Sequence, residues 1–255
     1  MKQIRELGWF LRENGPRWTL YFITQRAFSA AASRLDASIV ALEKRKSLPG
    51  TNSVSRNYAL WNFKDWSEGG EEWSHSPAWK QSLIDEVMHR RIDPDKEVLE
   101  IGPGAGRWTE PLAARAKRLV VVDISDRCIE LCRTRFAATT NIEYYVNDGR
   151  SLPFLADASL DAVWSFDAFV HISPQDTEAY LAEFARVLRP GGRAVIHHGR
   201  DARARGGYRS SMTAKLFIQL LRKHQLTLVS QFDSWGPQQE HDVKLRNDVI
   251  TVFEK

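Results

Sequence analysis

Apolar positions along the chain change period twice. Leu20, Ile23, Ala27, Ala30, Ala31, Leu35, Ile39 and Leu42 recur at helical spacing and predict one long helix over 19–46, after a shorter helix over roughly 2–13. Gly15-Pro16 separates the two helices, and Pro49-Gly50 stops the second. Residues 49–76 follow neither period. Trp61, Phe63, Trp66 and Trp73 are too many aromatics for a free linker, so this stretch is expected to be irregular but ordered. From Pro77 onward, short apolar runs alternate with helical patterns. Strands are predicted at 97–101, 119–123, 142–147, 161–165, 193–198, 226–233 and 248–254, with helices at 77–91, 106–116, 126–138, 174–188 and 211–224. This βαβ alternation demands a mostly parallel sheet covered by helices on both faces. The last two strands have no helix between them and are expected to pair antiparallel. The chain therefore divides into an N-terminal helical extension with an aromatic-rich cap, 1–76, and an α/β domain of Rossmann-like, doubly wound type, 77–255.

Composition narrows the classes. With 43% hydrophobic and 27% charged residues, the chain is neither of the disordered nor of the membrane-spanning type. No run of eighteen apolar residues exists, and the first residues lead into no apolar signal core. The two cysteines, Cys128 and Cys132, lie four apart in a helical stretch. They read as small residues on a buried helix face, and the expected compartment is cytoplasmic. The net charge is +4, but residues 1–46 hold nine Lys and Arg against four Asp and Glu, a surplus of 9 − 4 = +5 that leaves −1 for the remainder. A basic nucleic-acid channel across the domain is not expected. In the extension, Trp9, Phe10, Trp18, Tyr21, Phe22 and Ile23 intersperse with Arg5, Arg12, Arg17 and Arg26. Such a pattern suits peripheral contact with an anionic membrane surface or a homo-oligomer interface, and packing on the core is the plainer alternative.

The chemistry concentrates after the first strand of the α/β region. Glu97-Val98-Leu99-Glu100-Ile101 runs into Gly102-Pro103-Gly104-Ala105-Gly106, and Leu119-Val120-Val121-Val122 ends in Asp123. Strand, glycine turn, helix, strand and carboxylate make half of a nucleotide-binding domain. A dinucleotide fingerprint would need glycine at 107, where Arg107 stands. Gly102 suits a sharp bend, and Gly104 a close backbone approach to a ligand. Gly106 suits tight packing where the helix begins. A carboxylate at Asp123 can accept two hydrogen bonds from a ribose diol, and Ile124 offers an apolar face to a base.

The pattern E-x-G-x-G-x-G, Glu100 to Gly106, resembles motif I of the class I S-adenosylmethionine-dependent methyltransferases. Asn147-Asp148-Gly149 after the third strand, Ser165-Phe166-Asp167 after the fourth, and Leu188-Arg189-Pro190-Gly191-Gly192 before the fifth follow in that family's order. The resemblance covers 97–199. It implies a seven-stranded sheet with an antiparallel last strand and S-adenosylmethionine as cofactor. It also implies cofactor-binding roles for Glu100, Gly102, Gly104, Gly106, Asp123, Ile124, Asp148, Gly149, Ser165 and Phe166, with Asp148 accepting from the adenine amino group.

The acceptor is read from what the fourth-strand loop lacks and holds. It has no Asn/Asp-Pro-Pro-Tyr/Phe stretch, as enzymes acting on base amines have, and the chain has no Pro-Cys loop for pyrimidine carbon. A hydroxyl acceptor needs a base or a metal. His171 follows the fourth strand and is the first candidate base. Of His197 and His198, strand alternation turns one toward the site, and His198, nearer the strand's end, is the choice. Asp167 and His198, with Asp242, could instead hold a divalent cation, although their spacing is no metal signature. His241 and Asp242 could close over the acceptor. Trp61, Trp66, Trp73 and Trp79 suit stacking on a ring. The expectation is methyl transfer to a hydroxyl of a small molecule or saccharide, in polysaccharide or glycolipid assembly. The alternatives are a quinone, polyketide or other secondary metabolite as acceptor, or a non-catalytic cofactor-binding interaction protein.

Overall fold

The computed structural model describes residues 2–46, 52–201, 209–244 and 247–255. The chain divides into two compact units, Met1–Leu48 and Pro49–Lys255. The boundary falls ahead of the aromatic segment, which therefore belongs with the α/β body and not with the N-terminal helix.

The first unit is α1, Lys2–Lys46, two helical stretches joined at Gly15 (φ 79°, ψ 167°). Pro16 cannot donate a backbone hydrogen bond, and the glycine absorbs the non-helical turn. The Thr19 hydroxyl donates to Gly15 O at 2.9 Å across the break. Trp18 and Phe22, one turn apart, stack at 4.9 Å, while Leu20, Tyr21, Phe28 and Leu35 are exposed. The side chains of Arg5, Trp9 and Phe10 lie outside the described set. Among the described residues no helix is long and apolar enough to cross a membrane.

The second unit carries α2 (Val54–Phe63), α3 (Pro77–Ser82), α4 (Thr109–Ala113), α5 (Asp126–Arg135), α6 (Pro174–Val187) and α7 (Ala214–Lys223). Its strands are β1 (Glu97–Ile101), β2 (Arg118–Asp123), β3 (Ile142–Val146), β4 (Leu160–Ser165), β5 (Leu188–Gly199), β6 (Thr227–Phe232), β7 (Ser234–Trp235), β8 (His241–Asp242) and β9 (Asp248–Glu254). Seven strands form one sheet in the order β3-β2-β1-β4-β5-β9-β6. The β1–β2, β2–β3, β1–β4 and β4–β5 pairs are parallel. β9 runs antiparallel between β5 and β6, as the helix-free final connection requires. That connection also holds the short β7–β8 ribbon. Both faces of the central strands are buried. Leu99, Val120, Val163 and Ile196 point to one cluster, and Val98, Val121, Trp164 and Val195 to the other.

Two predicted helices depart most from their predicted spans. The 106–116 pattern yields only α4, because Gly104 and Gly106 hold positive φ and the turn runs on before the helix starts. The 77–91 helix passes at Leu83 into a π-helical stretch ending at Met88, with His89 N donating to Ile84 O at 2.8 Å. Serine caps fix where other helices begin. Ser125 Oγ accepts from Cys128 N and Ser173 Oγ from Asp176 N, so β2 and β4 each lead through a short loop to a set helix start.

Candidate active site

A cavity of about 520 Å³ opens at the carboxyl ends of β1, β2 and β4. The strand order reverses between β1 and β4, and open α/β sheets hold ligands outside such a point. The sheet side of the cavity is Gly102, Gly104, Asp123, Ile124, Gly149 and the β4 loop residues Phe166, Asp167 and His171. The opposite side comes from the aromatic segment, through Asn57, Trp61, Lys64, Trp66 and Trp73.

The glycine turn is shaped by its neighbours. Gly104 has φ +58°, and a β-carbon there would stand 2.6 Å from the Trp66 ring. At Gly102 it would collide with the Ala168 methyl, and at Gly106 with Phe136. So Gly104 is the motif glycine under the cap, whereas Gly106 serves helix packing and does not line the cavity. Asp123 is 8% exposed. Burial raises its carboxyl to about 6, against the amides of Ser125, Gly104 and Ile124, which favour the charged form. Its Oδ1 accepts from Ser125 N at 2.9 Å. A largely buried carboxylate beside Ile124 and an open glycine backbone fits the diol and base of a nucleoside. These residues are the ones that would hold S-adenosylmethionine.

Other predicted residues act from outside the cavity. Glu100 is 1% exposed beneath the turn and accepts from the Thr109 hydroxyl at 2.6 Å. Burial pushes its carboxyl up to about 8. Ser165 Oγ donates to Ile101 O at 2.8 Å and ties β4 to β1. Asp148 is exposed and turned away. Its Oδ1 accepts from the Arg150 and Ser151 amides at 2.9 and 2.7 Å, and Oδ2 accepts from the Ser151 hydroxyl at 2.9 Å. The Asn-Asp-Gly sequence is spent on its own turn, and only Gly149 of the three reaches the cavity.

The two strand-end histidines fall the other way round from the sequence reading. His198 is 0% exposed and stacks on Phe217 at 4.0 Å; its Nε2 lies 2.7 Å from Thr251 Oγ1 and its Nδ1 2.9 Å from Gly199 O. Burial lowers its pKa to about 3, so the ring is neutral. His197 holds the other face of β5. It stacks on Phe166 at 4.1 Å, and its Nδ1 lies 3.3 Å from Asp167 Oδ1 and its Nε2 3.5 Å from Asp248 Oδ2. Burial opposes its charge, but the two carboxylates prevail and raise its pKa. Facing, not height along the strand, decides which histidine approaches the β4 loop. The trio Asp167, His198 and Asp242 does not converge, and no group of three metal-ligating side chains forms among the described residues. His241 and Asp242 lie in the β7–β8 ribbon, where Asp242 O accepts from Trp79 Nε1 at 3.0 Å. Trp79 is a core residue.

Asp167 is the charged centre of the β4 side of the cavity. It has a left-handed backbone (φ 63°), a conformation that aspartate adopts more readily than most residues other than glycine, and pairs with the buried Arg107 guanidinium. Burial works against its charge, but Arg107 and His197 outweigh it and hold the carboxyl far below its ordinary range. Arg107 also lies over Trp108 at 4.7 Å. The arginine that replaces the dinucleotide glycine therefore fixes the loop after β4. His171 lines the cavity, with its ring 4.9 Å from Trp61.

The cap is tied down by residues whose role the sequence reading did not assign. Asn52 and Asn57 side-chain amides donate to His171 O at 2.9 and 2.8 Å. Tyr58 Oη donates to Asp126 Oδ1 at 3.0 Å. Asn62 Oδ1 accepts from Ser125 Oγ at 2.7 Å. The tryptophan spacing was the visible signal. The asparagines carried none. Cys128 and Cys132 are free and buried.

A family model described as a methyltransferase domain matches residues 98–192. Over that stretch the α/β body is similar to a methyltransferase domain, and its fold is the one shared by class I S-adenosylmethionine-dependent methyltransferases. Among curated relatives, a demethylmenaquinone methyltransferase of Tropheryma whipplei is 35% identical over 41% of this chain and 42% of its own length. An O-methyltransferase of Pyrenophora dematioidea is 33% identical over 44% of this chain and 42% of its own length. The chain thus spans about two fifths of the length of these relatives. The fold is shared with the N-methyltransferase NodS of Bradyrhizobium japonicum solved with S-adenosylhomocysteine (20% identity, TM-score 0.59, 80% of this chain and 98% of that one). It is also shared with a Haemonchus contortus phosphoethanolamine N-methyltransferase (18% identity, TM-score 0.63, 82% of this chain and 49% of that one).

Proposed function

We propose that the chain moves a methyl group from S-adenosylmethionine to a hydroxyl oxygen of a small ring-bearing acceptor, a saccharide first among them. The observation that carries this reading is one continuous cavity. It joins the glycine turn and Asp123 to Asp167 and His171 under a wall of tryptophans. When bound, S-adenosylmethionine supplies an electrophilic methyl on a sulfonium. Asp123 and the glycine backbone hold the nucleoside, and the tryptophan wall keeps water out, so positioning supplies much of the rate. The β4 loop, fixed by the Arg107–Asp167 pair, presents His171 on the acceptor side. Its imidazole takes the hydroxyl proton as the oxygen gains the methyl. Tryptophan faces suit a sugar ring, and the relative named O-methyltransferase agrees with oxygen as acceptor atom.

The relative named demethylmenaquinone methyltransferase favours a second reading, a quinone-type ring in the same pocket. A transfer assay with a labelled methyl donor separates the two, using saccharides, glycolipids, phenols and reduced quinones as acceptors. Label on a saccharide oxygen supports the first reading, and label on a quinone ring replaces it with the second. Tight cofactor binding with no transfer to any of them would make the chain a binding module.

A further inference from the structure

The cap places three tryptophans together at the cavity wall. Trp61, Trp66 and Trp73 have ring centroids 5.6–6.1 Å apart, and Trp73 stands edge-on to both others, at 89° and 82°. A cation already sits against this group. Lys64 Nζ lies 4.5 Å from the Trp73 centroid and 5.5 Å from that of Trp66, and it pairs with Glu72 at 2.9 Å. Arg107 approaches Trp73 at 5.9 Å but is committed to Asp167. Trp66 also packs on Gly104, a motif glycine that lines the cavity. The group is therefore an aromatic cage, at the cofactor side of the pocket, whose resident cation is a lysine.

We propose that this cage reads the positive charge of the methyl donor, with Lys64 yielding the ring faces of Trp66 and Trp73 to the sulfonium. This rests on the methyltransferase reading above. An ammonium is compact and strongly hydrated, whereas a trialkyl sulfonium is bulky and weakly hydrated, so the ring faces favour the sulfonium once water is excluded. Lys64 keeps Glu72 as a partner when displaced. The consequence is a built-in preference for donor over product. S-adenosylhomocysteine differs from S-adenosylmethionine by one methyl and one positive charge, and it loses this contact.

The test measures dissociation constants for both compounds by calorimetry and by quenching of tryptophan fluorescence, in the full chain. The parent is expected to hold S-adenosylmethionine about fivefold to thirtyfold more tightly, the range of a desolvated cation–π contact. Trp73→Leu should weaken S-adenosylmethionine selectively and bring the ratio toward one. Lys64→Met, which removes the competing cation, should widen it. Equal weakening of both ligands by Trp73→Leu, or an unchanged ratio in Lys64→Met, overturns the proposal. Where Trp73→Leu does not fold, the Lys64→Met ratio decides alone. A parent that binds both compounds equally overturns the cage but leaves the methyltransferase reading standing. A parent that binds neither removes that reading as well.

Discussion

Trp66 lies so close to Gly104 that a β-carbon on the glycine would fall 2.6 Å from the indole. The contact joins a residue of the cap to the turn that follows β1, across 38 positions of sequence. It sets a floor on the cavity and leaves no slack for a side chain. Gly104→Ala should therefore do two things. It forces an L residue to φ +58°, costing about 1 kcal/mol or more of stability, and it pushes the indole off its seat. Affinity for S-adenosylhomocysteine, read by calorimetry, should fall at least tenfold. Trp66→Ala in the same chain should return part of the lost thermal stability, because it removes the clash. If the double variant is no more stable than Gly104→Ala alone, the two residues are not coupled in this way.

Glu100 gives a pH signature. Its carboxyl has a folded value near 8 because it is buried, against an ordinary value of 4.5. Between these values the folded state holds a proton that the unfolded chain releases. Its contribution to stability therefore falls as pH rises from about 4.5 to about 8, by about 1.4 kcal/mol per pH unit for one proton, and is flat above. Glu100→Gln mimics the protonated acid and keeps an acceptor for Thr109. Denaturant midpoints at pH 5 should match the parent, and at pH 9 the variant should be the more stable of the two. Equal midpoints at both pH values would show that Glu100 is charged when folded.

The central strands were legible because both of their faces are buried, so each reads as an apolar run, whereas the edge strands β3 and β6 are partly exposed. Asp123 and the glycine turn were legible for a related reason: their spacing is dictated by local chain geometry. What failed was whatever depends on facing or on distant partners. His197 and His198 differ by one residue, and only the pairing of β5 between β4 and β9 decides which ring meets Asp167. Asp148 was read as a ligand group, but its oxygens satisfy its own turn. The cap was visible as an excess of tryptophan. Its place over Gly104 depends on Asn52, Asn57 and Asn62, polar residues that carry no pattern until their partners at His171 and Ser125 are known.

Among the described residues, those around the cavity all lie between Val54 and Arg209. Removing residues 2–46 should therefore leave affinity for S-adenosylhomocysteine within about twofold of the parent. Its exposed aromatic and aliphatic side chains and its surplus of arginine suit either an anionic lipid surface or a second copy of the chain. Sedimentation with and without anionic vesicles separates these. A truncated chain that has lost cofactor binding would place part of the cofactor site in the extension.

The histidines make the sharpest contrast. His198 is buried, neutral and stacked on Phe217, with a folded pKa near 3 against 6.5. The unfolded chain binds the extra proton between these values. The stabilisation is therefore complete above about pH 6.5 and is lost as pH falls toward 3. His198→Ala should lower stability by roughly 2–4 kcal/mol, as for other large buried rings cut to alanine, and leave turnover per folded molecule nearly unchanged. His171 lines the cavity beside Trp61 and should behave in the opposite way. His171→Ala should lower turnover by about two to four orders of magnitude, the loss expected for a general base, with cofactor affinity almost unaltered. Should turnover survive the substitution, the proton leaves by another route, or the acceptor atom is already nucleophilic at neutral pH and is not a hydroxyl oxygen.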